Sequence, residues 1–256
     1  MHPSSIVEPG AKIHASVKIG PFCTVGKHVE LGPGCKLTSH VVIRGNTKVG
    51  ENNVFYQFST IGETPPDKKY GGERTRLEIG HNNVFRECMT VHLGTVQGDG
   101  LTSIGSNNLF LAYTHIAHDC KVGDHVIFAN NATLAGHVNI GNHVNLGGFV
   151  KIAQFCTVGD FSYIGGDCGI SKDIPAFLKI ARAPERPAGL NSVGMARAGI
   201  VKADIALIKE AYRLVYMRRF TTHEALSALG ELNKTNNRYL TQFIESIEAS
   251  QRGIIR

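Results

Sequence analysis

Residues 113–155 read YTHIAHDCKVGDHVIFANNATLAGHVNIGNHVNLGGFVKIAQF. Ile116, Val122, Phe128, Leu134, Ile140, Leu146 and Ile152 recur in it every six residues. Outward from this stretch the same rhythm runs from Val7 to Ile61, resumes at Ile79, Phe85 and Val91, slips phase once before Ile104, and ends at Ile170. A short fixed period marks a solenoid, because one unit cannot bury its apolar side alone and must stack on its neighbours. Glycine often follows the apolar residue, as at Gly26, Gly105, Gly123 and Gly141, which suits a tight corner in every repeat. Three hexapeptides make one triangular coil, so residues eighteen apart become vertical neighbours separated by about 4.8 Å. His118, Gly136 and Gln154 lie on that interval and are expected to stack on one wall.

Two polar excursions interrupt the repeat, 62–78 and 97–103. The first is rich in Pro and Gly, and such excursions from a rigid scaffold are where ligand contacts tend to be placed. Beyond Ile170 the prolines at 175, 184 and 187 mark 181–190 as a linker. The period then turns helical. Ile205, Ile208, Tyr212 and Val215 fall on one helix face with Asp204 near its start, and Leu226, Leu229, Leu240, Phe243 and Ile247 predict two more helices, one capped by Thr221 or Thr222. The chain therefore reads as an all-β solenoid over 1–190 followed by a helical domain over 191–256, which would cover the open end of the last coil.

The composition, 42% hydrophobic and 19% charged, is that of a soluble globular protein. The start, Met1 to Pro9, has neither a basic leader nor an apolar run, so a cytoplasmic protein with no membrane insertion is expected. Cys23, Cys35, Cys120, Cys156 and Cys168 all stand four residues after the apolar position, where packing of a small inward side chain explains them better than disulfides or metal; Cys88 alone is off that register. The net charge of +6 and pI near 9.0 raise an acidic partner. No nucleic-acid signature accompanies the charge. Much of the excess lies in the C-terminal segment, where Arg213, Arg218 and Arg219 offer either a solvated surface or a site of attraction for an acidic protein.

Four of the twelve histidines, His92, His115, His118 and His137, fall on or beside the expected wall. They admit a general base with polar groups orienting a substrate, a tolerant polar surface, or three imidazoles on zinc with a water for hydration chemistry. A glycine one coil above a histidine leaves a bare backbone N–H beside the reacting group, suited to a developing oxyanion.

The hexapeptide rhythm, with IGPFCTVG, YQFSTIGE, IGSNNLF, THIAHDCKVG, NNATLAGHV and QRGIIR, resembles the bacterial UDP-N-acetylglucosamine acyltransferases that begin lipid A synthesis, over nearly the whole chain. That resemblance implies a left-handed parallel β-helix, although the common rule for parallel crossovers favours the right hand. It implies a homotrimer with active sites between subunits, moving a 3-hydroxyacyl chain from acyl carrier protein to the 3-position of a UDP-linked glucosamine. No cofactor and no metal are needed, because the thioester carries the activation. By motif, His118 is implied as general base, Asp119 as its support and Gly136 as oxyanion donor. Asp67, Lys69, His92, His115, His137 and Gln154 are implied as sugar and phosphate contacts, Asn191 and Arg197 as nucleotide contacts, and Gly166 as the gauge of acyl length. Ala153, Val193 and Ala198 depart from the family pattern at the acceptor end, and relatives that accept a 3-amino sugar keep that acceptor as an alternative.

Overall fold

A computed structural model of the chain describes residues 1–181 and 184–256. The apolar residue of each hexapeptide points inward: Val25, Phe55, Ile61, Phe85, Phe110, Ile116, Phe128, Leu134 and Ile164 are fully buried. Most strands are only two residues long, such as His115–Ile116, Lys121–Val122 and Ile127–Phe128. Most end in a corner whose third residue after the apolar position is left-handed, with φ of 59° at Asp119, 57° at His125, 61° at His137 and 64° at Phe155. Asn, Asp and His tolerate that conformation better than most residues, which accounts for much of the outward-facing sequence. The repeat's glycines serve a different purpose from the expected one. They hold ordinary φ values at 105, 123 and 141, where a Cβ would approach Oδ1 of Asp124, Asn142 and Asp160 to 2.2, 2.6 and 2.0 Å, so they permit close approach rather than a left-handed turn.

The strands form three sheets of nine, eight and ten members among the described residues, parallel throughout except for the last strand of the third. The first holds His115–Ile116, Thr133–Leu134 and Lys151–Ile152; the second Lys121–Val122, Asn139–Ile140 and Thr157–Val158; the third Ile127–Phe128, Asn145–Leu146 and Tyr163–Ile164. His115 pairs with Thr133 and Thr133 with Lys151, the expected eighteen-residue register. This is the left-handed parallel β-helix. Inside it Phe55, Phe85 and Phe110 stack with centroids 4.7 and 5.2 Å apart, and Phe128 meets Phe110 edge-on at 5.1 Å, large apolar areas in favourable ring geometry. Asn53, Asn83 and Asn108 form a buried ladder beside them, each side-chain oxygen accepting from the next coil's backbone. Cys23, Cys35, Cys120, Cys156 and Cys168 are buried, and Cys88 is partly exposed.

Strands Thr60–Glu63 and Arg76–Ile79 bound the first excursion, and Thr90–His92 and Leu101–Ile104 the second. The loops are therefore 64–75 and 93–100 rather than 62–78 and 97–103: lengthened strands at 60–63, 76–79 and 101–104 keep pairing into their bases, whereas the second loop opens directly after His92. Both leave from the corner between the first and second sheets.

The expected linker is partly regular structure. Leu178–Ala181 and Arg186–Leu190 form an antiparallel pair that extends the third sheet; Arg182 and Ala183 lie outside the described residues. Pro187 is tolerated because Arg186–Leu190 is the edge strand. Four helices follow: α1 (Ser192–Arg197), α2 (Lys202–Tyr216), α3 (Thr222–Leu232) and α4 (Arg238–Glu248). Thr221 and Glu224 cap α3 reciprocally. Helix α1 was not expected; Asn191 caps it by accepting from Gly194 N. The helical segment closes the last coil through Asp173, 2% exposed, whose carboxylate accepts from Thr157 N, Ser250 Oγ and the backbone N–H groups of Gln251 and Arg252. No helix among the described residues is long and apolar enough to cross a membrane.

Candidate active site

The corner between the first and second sheets carries His118, Gly136 and Gln154 in three successive coils, so the expected wall is an edge of the prism. Both excursions leave this same edge in the preceding coils. His118 is outside the prism but only 8% exposed, and Asp119 only 6%.

Asp119 accepts from His118 Nδ1 at 2.8 Å through Oδ2. Its carboxylate also accepts from Thr95 N at 2.9 Å and Thr95 Oγ1 at 2.6 Å, while Asp119 N donates to Thr102 Oγ1 at 2.8 Å. A carboxylate only accepts, so His118 Nδ1 carries the proton of this contact, and in the neutral ring Nε2 is the nitrogen with the lone pair. That nitrogen faces Gly136, where a Cβ would stand 2.7 Å from Nε2 and 2.5 Å from Cε1. Glycine is required there by the imidazole itself. Among the described residues no acceptor meets the Gly136 N–H, whereas its neighbour His137 N donates to His118 O at 3.0 Å.

Three further histidines surround this pair. The His137 ring lies edge-on to His118 at 5.1 Å and stacks on Phe155 at 4.6 Å. Desolvation lowers its pKa, with His118 adding repulsion, against opposing attraction from Asp119, Asp67 and Asp99. His115 accepts from or donates to Thr90 Oγ1 at 2.7 Å, and burial followed by His118 lowers it too. His92 packs against His115 at 5.1 Å, and burial, then His115, push it down to about 4. Its Nδ1 is buried with no partner among the described residues, a polar atom a ligand would satisfy. His118, Asp119 and His137 also offer ligand atoms within 4.8 Å of one another.

The chain matches known proteins end to end. The hexapeptide transferase repeat model covers residues 4–39 and 101–136, and the model described as UDP N-acetylglucosamine O-acyltransferase, domain 2, covers 173–255. An acyl-[acyl-carrier-protein]–UDP-N-acetylglucosamine O-acyltransferase of Saccharophagus degradans is 47% identical, over all of this chain and 99% of its own. The chain belongs to this acyltransferase family. Solved UDP-N-acetylglucosamine O-acyltransferases show the same fold: the LpxA of Acinetobacter baumannii has a TM-score of 0.95 at 45% identity and that of Moraxella catarrhalis 0.96 at 46%, each over 100% of this chain and 99% of the other.

The remaining residues expected from the acyltransferase resemblance are not all at the His118 edge. Asp67 and Lys69 lie on the first excursion, Lys69 exposed. Asn191 and Arg197 line a separate cleft of about 730 Å³ between α1 and the third sheet, with His125, His143, Tyr163 and Lys179. Val193 and Ala198 line it too. The Asn191 amide is committed within the fold, Nδ2 donating to Phe161 O at 2.8 Å and Oδ1 accepting from Gly194 N. Gly166 stands at a third place, the corner between the third and first sheets. Arg213 pairs with Glu210, and Arg218 and Arg219 are exposed. Sequence reasoning missed Thr95 and Thr102, which hold Asp119 from 24 and 17 residues away; the phase slip before Ile104 was the one available signal.

Proposed function

We propose that the protein transfers a 3-hydroxyacyl group from acyl carrier protein to the 3-hydroxyl of UDP-N-acetylglucosamine, the first step of lipid A synthesis, in the cytoplasm. The observation that carries the reading is His118, held by Asp119 behind its Nδ1 and packed in front against Gly136, whose N–H meets no acceptor among the described residues. Nε2 takes the proton from the sugar hydroxyl as its oxygen attacks the thioester carbonyl. The carbonyl electron pair moves onto oxygen, which the Gly136 N–H receives. Collapse of that adduct re-forms the carbonyl and breaks the C–S bond, and His118 returns its proton to the departing thiolate. No cofactor is required by this sequence.

Within one chain the His118 edge and the α1 cleft are on different corners, so one UDP-sugar reaches both only across two copies. That separation supports a homotrimer with shared sites. Thin-layer or mass-spectrometric detection of acyl-UDP-N-acetylglucosamine from purified protein, acyl carrier protein thioester and UDP-sugar tests the function. Turnover only with a 3-amino sugar would move the acceptor to that alternative, an amine needing less help from a base.

The clustered ligand atoms of His118, Asp119 and His137 favour a second reading, a zinc-dependent lyase. Against it, Asp119 already receives Thr95 Oγ1 and His118 Nδ1. Stoichiometric zinc in purified protein, with activity lost to chelation, would favour the metal.

A further inference from the structure

The adjacent corner shows what the Gly136 N–H could otherwise be doing. At the corner between the second and third sheets, the second residue after the apolar position carries Asp, Asn or Asp in successive coils, and each side chain caps the equivalent N–H of the coil before. Ser106 N donates to Asp124 Oδ1 at 2.6 Å, Asp124 N to Asn142 Oδ1 at 2.8 Å, and Asn142 N to Asp160 Oδ1 at 2.8 Å. The backbone runs alike at the two corners. His143 N donates to Asp124 O as His137 N donates to His118 O, and Gly141 N to Val158 O as Ala135 N donates to Ile152 O.

The capping oxygen has a requirement of its own. It occupies the place of a Cβ on the residue before the capped one: a Cβ on Gly105 would be 2.2 Å from Asp124 Oδ1, and one on Gly123 2.6 Å from Asn142 Oδ1. Glycine therefore precedes the capped N–H at that corner. At the His118 edge the preceding residue is Ala135, which has the methyl group, and the residue that would cap is Gln154, one methylene too long for the same geometry.

We propose that Ala135 and Gln154 are positioning residues that keep the Gly136 N–H uncapped. The Ala135 methyl fills the seat of the capping oxygen, and residue 154 is not the short Asp or Asn that would take it. The inference rests on Gly136 as oxyanion donor. It adds that availability of this donor is a departure from the pattern of the adjacent corner, made by two side chains that leave the N–H bare.

The test is to install the adjacent corner's pattern. In Ala135→Gly/Gln154→Asn, a crystal structure is expected to place the new side-chain carbonyl oxygen at position 154 within hydrogen-bond distance of Gly136 N. The turnover number kcat should fall by about 10²- to 10³-fold, the loss typical of one oxyanion donor, and by more than the two single variants combined. KM changes alone would reflect lost substrate contact at residue 154 and would contradict a positioning role. If Gly136 is capped and kcat holds, the capping rule stands but Gly136 is not the oxyanion donor. If the shortened amide leaves Gly136 uncapped in the double variant, the inference fails. Ala135→Gly/Gln154→Asp offers the same geometry should the first pair not fold.

Discussion

Thr95 Oγ1 donates to Asp119 Oδ2 at 2.6 Å, on the same oxygen that receives His118 Nδ1. The hydroxyl comes from the second excursion, so a loop that interrupts the repeat holds the carboxylate that orients the His118 imidazole. A hydrogen bond to a charged group is worth more than a neutral one. Thr95→Val should therefore lower kcat roughly tenfold with KM for the sugar little changed, and Thr95→Ser should restore it. A purely structural threonine would show equal loss in both variants, or a lowered Tm without a selective effect on kcat.

The depressed histidines give the protein an acid limit. His92 falls from 6.5 to about 4 in the folded chain, and His115 and His137 are lowered in the same direction, all mainly by burial. Unfolded, these groups take up protons near 6.5; folded, they resist. The unfolded state binds more protons in that window, so stability rises with pH through it and is lost as pH falls from 6.5 toward 4. His92→Asn should flatten the fall of Tm over that range. An unchanged slope would place the acid sensitivity elsewhere.

His118 and Arg197 lie on different corners of one chain, so their defects should complement between chains. His118→Ala and Arg197→Ala, each weak alone, should on co-expression regain activity in roughly a quarter of the sites on random mixing. Sedimentation should give a trimer. A site confined to one chain would regain nothing, and a fully active monomer would remove the need for a neighbour.

The periodic part of this structure was legible because burial repeats with the coil: Ile116, Phe128 and Leu134 announce themselves by spacing alone. The His118, Gly136 and Gln154 column followed from the same interval, although it forms an edge and not a flat wall, since the second residue after each apolar one already lies in the turn. What spacing does not encode was missed. Helix α1 is a six-residue element set by the Asn191 cap, the Leu178–Ala181 and Arg186–Leu190 pair hid behind Pro187, and Thr95 reaches Asp119 only after a loop folds back.

Gly166 sits where a Cβ would meet Gly148 O at 3.1 Å, a tight contact with backbone. Read as the gauge of acyl length, it serves a chain held between copies, since it is not on the His118 corner. Gly166→Met should favour shorter 3-hydroxyacyl donors, each unburied methylene costing about 0.8 kcal/mol, with some loss of Tm from the crowded carbonyl. The same donor profile in the Met variant would leave Gly166 a packing residue.

The role of His118 is tested most directly by the turnover of His118→Ala with 3-hydroxyacyl carrier protein and UDP-N-acetylglucosamine. Loss of a general base predicts a fall of about 10²- to 10⁴-fold in kcat, with the solenoid's circular dichroism and oligomeric state retained, because the imidazole lies outside the prism. A near-normal rate in a folded variant would contradict His118 as the base.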